Sequence, residues 1–183
     1  MKVLLHQCCG PCSIYPAIRL REDGHELHGY FYNPNIHPYT EYKKRLETLQ
    51  TYNTQHNIPY TIVDFYGLRP FIAMVEAMRQ PASSIIANRC EGCYRMRLFK
   101  VAEFAKANGF DGFTTSLLYS RRQKHDLIRS IAAEAAQQQQ IDFIYEDYRK
   151  GWQVGIDLSK QEAMYRQNYC GCIYSEEERW LKK

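Results

Sequence analysis

Apolar residues recur along the chain at two different spacings. Short runs at Lys2–His6, Glu26–Tyr32, Tyr60–Asp64, Asp111–Ser116 and Phe143–Tyr145 are too brief for helices and read as strands. Between them the apolar positions fall three and four apart. Ile14–Asp23 reads as a helix capped by Ser13, with Pro16 tolerated in its first turn and Gly24 closing it. Thr40–Asn57 is a polar helix that gathers Tyr42, Leu46 and Leu49 on one face. Pro70–Met78 is a further helical candidate, and Arg79–Arg89 reads as an exposed loop. After Cys93, the spacing of Leu98, Val101, Ala102 and Ala105 predicts a helix that Gly109 stops. Ser120-Arg121-Arg122-Gln123 has the form of a capping box opening a helix to about Gln139. Ser159…Glu162 and Ser175…Glu178 repeat that form ahead of two short helices.

Strands that alternate with helices in this order predict an α/β fold: a doubly wound, mainly parallel sheet of about five strands, with helices on both faces. The length of 183 residues suits one catalytic domain over 1–183, and no linker or repeat divides it. The opening M-K-V-L-L-H-Q is too short an apolar run for a secretory signal, and no stretch reaches membrane-spanning length, so a cytoplasmic protein is the expectation.

The cysteines change the picture. His6-Gln7-Cys8-Cys9-Gly10-Pro11-Cys12 falls at the carboxyl end of the first strand, where ligands bind in open α/β sheets. Glycines there would cradle phosphate; this chain offers thiols. The seven cysteines form three groups, and an odd count in a reducing compartment argues against a disulfide framework. Cys90-Glu91-Gly92-Cys93 is a C-x-x-C expected just before a helix, which would help hold both sulfurs as thiolates. Adjacent Cys8 and Cys9 point different ways and suit separate metal atoms, and with Cys90 and Cys93 they make the usual four ligands of a four-iron cluster. Zinc, or an arrangement of plain thiols, stays open. Cys12 is a candidate ligand for a neighbouring metal, a site thiol, or a small buried hydrophobe. Cys170-Gly171-Cys172 could close only a strained, easily reduced ring, which suits a reversible electron store; free thiols or a second metal site are the alternatives.

A formal charge of +4 is too mild to argue for nucleic acid alone, but fifteen tyrosines and local basic clusters are what single-stranded RNA stacks on. Arg89, Arg95 and Arg97 flank the C-x-x-C, and Arg121, Arg122 and Lys124 open a helix, so both groups are candidate phosphate contacts. Ordinary solvated helix faces would look the same. His6, His37 and His125 with Asp126 are candidate proton donors.

Taken together, L-L-H-Q-C-C-G-P-C-S, N-P-N-I-H-P, R-C-E-G-C-Y-R-M-R-L, F-T-T-S-L-L-Y-S, K-H-D-L-I and Y-R-Q-N-Y-C-G-C-I-Y-S resemble, in order and spacing, the QueH family of epoxyqueuosine reductases. The resemblance implies an adenine-nucleotide alpha-hydrolase-like fold and a cobalamin-independent oxidoreductase. It implies a substrate tRNA bearing epoxyqueuosine at the wobble position, converted to queuosine with electrons from an unidentified donor. By the same resemblance Cys8, Cys9, Cys90 and Cys93 hold a 4Fe-4S cluster, and Cys170 and Cys172 are a redox-active pair. Some members carry aspartate where this chain has Cys12, next to a second metal such as iron; Gly10 stands where alanine is common. Two other classes compete. An iron–sulfur-dependent tRNA sulfur transferase would carry an S-G-G-x-D-S type loop where the thiols now sit. A non-catalytic zinc-stabilised RNA-binding module would hold zinc and no iron.

Overall fold

The first strand of the chain is buried on both sides because helices cover both faces, and that is why its run is apolar rather than alternating. The two edge strands stay partly exposed. The computed structural model describes residues 1–78 and 85–181. It contains β1 (Lys2–His6), β2 (Glu26–Phe31), β3 (Tyr60–Ile62), β4 (Gly112–Thr115) and β5 (Asp142–Phe143). All neighbours are parallel, in the order β3-β2-β1-β4-β5. Val3 lies opposite Leu27 on one side and Gly112 on the other. The chain winds outward from β1 to β3, then crosses back to place β4 on β1's other flank. The carboxyl ends of β1 and β4 therefore part at a topological switch point, where such sheets open a crevice.

Alternate residues of β1 feed two cores. Leu4 joins Tyr30, Phe113 and the apolar face of α4 (Ile85–Ala107) and α5 (His125–Gln139). Val3 and Leu5 join Leu27, Phe31 and the inner faces of α1 (Gly10–Glu22) and α2 (Tyr39–Gln55). Leu98, Val101, Ala102 and Ala105, and likewise Tyr42, Leu46 and Leu49, are all buried as their spacing predicts. A third cluster joins Phe71 and Val75 of α3 (Leu68–Ala77) to Cys93 and Cys172. It brings the C-terminal tail, with α6 (Trp152–Gln161) before it and α7 (Ile173–Trp180) after it, back over the strand ends.

Helix starts depart from the sequence expectation. α1 begins at Gly10 with Cys9 at the N-cap, because Pro11 fits a first turn that needs no amide donor. Ser13 is inside the helix, its hydroxyl donating to the Cys9 carbonyl (2.7 Å). α4 begins at Ile85, upstream of the C-x-x-C, so Cys90 and Cys93 sit within the helix and gain no N-terminal amides; of the expected 79–89 loop, 79–84 lies outside the described residues. α5 starts at His125, since Ser120 instead closes a turn in which its hydroxyl accepts from the Arg122 amide. Ser159 lies near the end of α6 and donates to the Ile156 carbonyl (2.8 Å), and Ser175 sits within α7, where Cys172 is the N-cap.

Burial depresses two histidines. His6 and His37 are 0% and 1% exposed, and burial is the main reason each falls from 6.5 to about 4. The unfolded chain takes up these protons as pH drops through 6.5 while the native state does not, so their contribution is intact above 6.5 and is lost toward 4. Denaturant titrations at pH 7.5 and pH 5 should differ by about 2 kcal/mol per histidine, and His37→Gln should remove one share.

Candidate functional site

The strand exit is held by amides. The Gln7 and Asn53 side chains exchange hydrogen bonds of 2.9 and 2.8 Å, and the Asn33 amide donates to the Gln7 carbonyl at 2.9 Å. The Cys8 amide donates to the Ser116 hydroxyl (3.0 Å), which ties the end of β1 to the turn after β4. Strand exit, N-cap and first helical turn then present Cys8, Cys9 and Cys12, whose sulfurs lie within 4.8 Å of one another. Hydrogen bonds from Cys12 and Cys9 pull the Cys8 thiol well below the usual range, and giving its proton toward Cys8 pushes Cys12 well above it. Burial pushes Cys9 up. The triad is a close set of soft donors that can hold a metal ion.

The other thiols converge on the same region without joining that close set. Among the described residues the tight group is Cys8, Cys9 and Cys12, rather than Cys8, Cys9, Cys90 and Cys93. A cavity of about 340 Å³ is lined by Cys8, Cys12 and Cys170; a second of about 250 Å³ is lined by Cys90, Cys93, Cys170 and Cys172. Asn35, Arg122, Gln123 and Cys170 border both. Burial pushes the Cys93 thiol up to about 12.

The tail that carries Cys170 and Cys172 is clamped from beneath. Arg45, 1% exposed, donates to Glu41 (2.7 Å) and to the carbonyls of Cys170 (2.8 Å) and Tyr169 (3.0 Å). The other Glu41 oxygen accepts from the Tyr165 hydroxyl. Tyr169 donates to the His37 carbonyl, and the His37 amide to the Gly171 carbonyl. Gly171 has φ +142, a conformation costly for any other residue, and a Cβ there would lie 3.1 Å from the Arg45 guanidinium. Gln167 reaches down to donate to Cys9 (2.9 Å) and Cys12 (3.3 Å).

The candidate phosphate contacts divide. Arg97 is 2% exposed and donates to the Cys93 carbonyl and sulfur; it faces the first cavity instead of an outer helix face, which corrects the surface role expected for it. Arg89 is also buried and pairs with Glu178, and Arg95 is held by Glu134 and Glu91. Arg122 lines both cavities, Lys124 lines the second, and Arg121 lies over the Trp152 ring. Arg166 and Arg179, which sequence reading did not single out, are exposed on the first cavity beside Trp152 and Tyr119, whose rings stack at 5.2 Å. The only hint of Arg166 was its place four residues before Cys170.

Thiols gathered at the switch point of a doubly wound sheet, able to hold a metal ion and rimmed by arginines, are the layout of a metal- or thiol-dependent α/β enzyme. The chain belongs to the QueH family: the family model described as Epoxyqueuosine reductase QueH matches residues 3–178. Relatives called epoxyqueuosine reductase QueH include one from Dehalococcoides mccartyi, 34% identical over 99% of this chain and 96% of its own length. Those from Histophilus somni and Haemophilus influenzae are 38% and 39% identical, over 95% and 100% of this chain and 72% and 75% of their own lengths. The fold is similar to that of a Methanocaldococcus jannaschii protein described as a predicted subunit of tRNA methyltransferase (TM-score 0.53, 14% identity, 87% of this chain and 74% of that one).

Proposed function

We propose that the chain is a cobalamin-independent tRNA-modifying reductase that removes the epoxide oxygen of epoxyqueuosine at the wobble position and leaves queuosine. The observation that carries this is the convergence of three sequence-distant thiol groups on adjoining cavities at the strand ends, in a family of reductases. Cys8, Cys9, Cys90 and Cys93 would hold a 4Fe-4S cluster, with Cys12 placed for a second iron. The donor set fits such a group: every ligand is a soft sulfur, and a buried guanidinium beside Cys93 suits an anionic occupant. When bound, the cluster supplies one-electron transfer and a Lewis-acidic iron.

Deoxygenation consumes two electrons and two protons and releases water. Oxidation of the Cys170/Cys172 dithiol to a disulfide yields the same two electrons and two protons, after which an external electron donor restores the pair. Gly171 supplies the backbone freedom such a small ring needs, and Gln123 orients Cys170 from 3.0 Å. The modified base has to leave the anticodon stack to reach the cavity. Tyr119 and Trp152 offer it an aromatic wall, and Arg122, Arg166 and Arg179 meet backbone phosphates at the mouth. The folded-back tail, through Gln167, covers Cys9 and Cys12, which are buried.

The test is anaerobic loading with iron and sulfide, metal and sulfide analysis, then incubation with epoxyqueuosine-tRNA and a reductant, with nucleosides read by mass. Iron, sulfide and queuosine are expected. The close Cys8/Cys9/Cys12 triad favours a second reading, a single thiol-held zinc in a non-catalytic RNA-binding module. Stoichiometric zinc, no iron and no queuosine would select it. Reversing Arg121 and Arg122 to glutamate should weaken tRNA binding and reduce its salt slope by about 1 per arginine; filter binding across a salt series that gives an unchanged slope rejects this patch.

A further inference from the structure

Three arginines are more than nine-tenths buried among the described residues: Arg45, Arg89 and Arg97, at 1%, 6% and 2% exposure. Two of them meet a carboxylate, Arg45 at Glu41 and Arg89 at Glu178. Arg97 meets none among the described residues. Its bonds run to the Cys93 carbonyl at 3.2 Å and the Cys93 sulfur at 3.1 Å, with its plane over the Tyr94 ring. Its side chain also lines the first cavity, together with Cys8, Cys12 and Cys170. It therefore stands in the wall between the two thiol groups.

A guanidinium keeps its proton under all working conditions, so this is a fixed charge. A fixed charge held away from water needs an opposite charge close by, and a carbonyl and an aromatic face supply only part of it. Around Arg97 lie Cys93, Cys170 and Cys8, the Tyr94 phenol and the His6 imidazole, none of them a carboxylate. Neutral thiols do not balance a cation; sulfurs that have given up protons to a metal centre do. A thiol-held metal centre would supply that charge within reach of Arg97.

We propose that Arg97 is the charge-compensating residue of the metal centre, a permanent cation that favours the more negative, reduced form and so raises the potential at which the centre accepts an electron. The inference rests on the iron–sulfur reading above and extends it to a residue outside the ligand set. Each electron added makes a thiolate-ligated centre more anionic, and a nearby fixed cation stabilises that form more than the oxidised one.

The experiment compares wild type, Arg97→Gln and Arg97→Lys after anaerobic loading with iron and sulfide. Circular dichroism checks folding, and dye-mediated titration gives the midpoint potential. Arg97→Gln is expected to shift the midpoint to more negative values, and Arg97→Lys, which keeps the charge, to stay near wild type. Loading of Arg97→Lys but not of a folded Arg97→Gln also supports the proposal. An unchanged midpoint in Arg97→Gln, or equal shifts in both variants, overturns the role of Arg97 alone. Failure of both variants to fold or load overturns it too, because side-chain shape is then the requirement. Wild type that takes up no iron or sulfide removes the centre itself, a separate and distinguishable result.

Discussion

Serine in place of Cys8 is expected to abolish iron and sulfide uptake and to lower queuosine formation by at least about a hundredfold, beyond what even outer-shell changes at metal sites cost. The replacement is nearly isosteric, so the fold should survive. What disappears is the sulfur whose thiol the neighbouring Cys12 and Cys9 pull below the usual range and which accepts from the Ser116 hydroxyl at 3.4 Å. A hydroxyl in that place is hard and stays protonated. Cys170→Ser should behave differently, keeping iron and sulfide while slowing turnover, because Cys170 is assigned to the electron store. Absorbance, metal analysis and single-turnover assays on the two variants separate the roles. Full iron content in Cys8→Ser would remove Cys8 from the centre.

The second large effect belongs to the tail clamp. Arg45→Ala leaves Glu41 buried at 6% exposure without its cation and should cost about 3–5 kcal/mol in urea denaturation. Removing both charges, as Arg45→Met with Glu41→Leu, should restore most of that stability, since a buried ion pair replaced by apolar groups of similar volume is often near neutral. The double variant still lacks the guanidinium that grips the carbonyls of Tyr169 and Cys170. Limited proteolysis should therefore cut faster between 165 and 172 than in wild type, even with stability regained. Equal cutting rates would mean that the tail is held by its other contacts.

The sheet was legible in the sequence because its runs are short and rich in apolar and aromatic residues. β1 to β4 fall within their expected spans, whereas β5 starts one residue earlier than expected, at Asp142, and ends at Phe143. The inner faces of α2 and α4 were legible from the spacing of their apolar residues. Helix starts were not. Pro11 begins α1 a turn before Ser13, and α4 runs upstream through a stretch whose polar residues resembled a loop. The candidate site was legible as residue types: the strand-end position of Cys8, Cys9 and Cys12 follows from the strand–helix order. Its wiring was not. Arg45 and Glu41 have the spacing of an ordinary surface pair on a helix, and only the tail, more than a hundred residues later, buries them. Arg97 looked like one more basic residue on an exposed face; that it points inward depends on where α4 meets the strand ends.

The grip of Arg45 on the tail uses peptide oxygens, not the groups that distinguish one amino acid from another. Every residue type offers the same carbonyl, so exchanging Cys170 for serine or alanine leaves this handhold in place. A slow Cys170 variant can accordingly be read as a defect of chemistry, with the segment still docked.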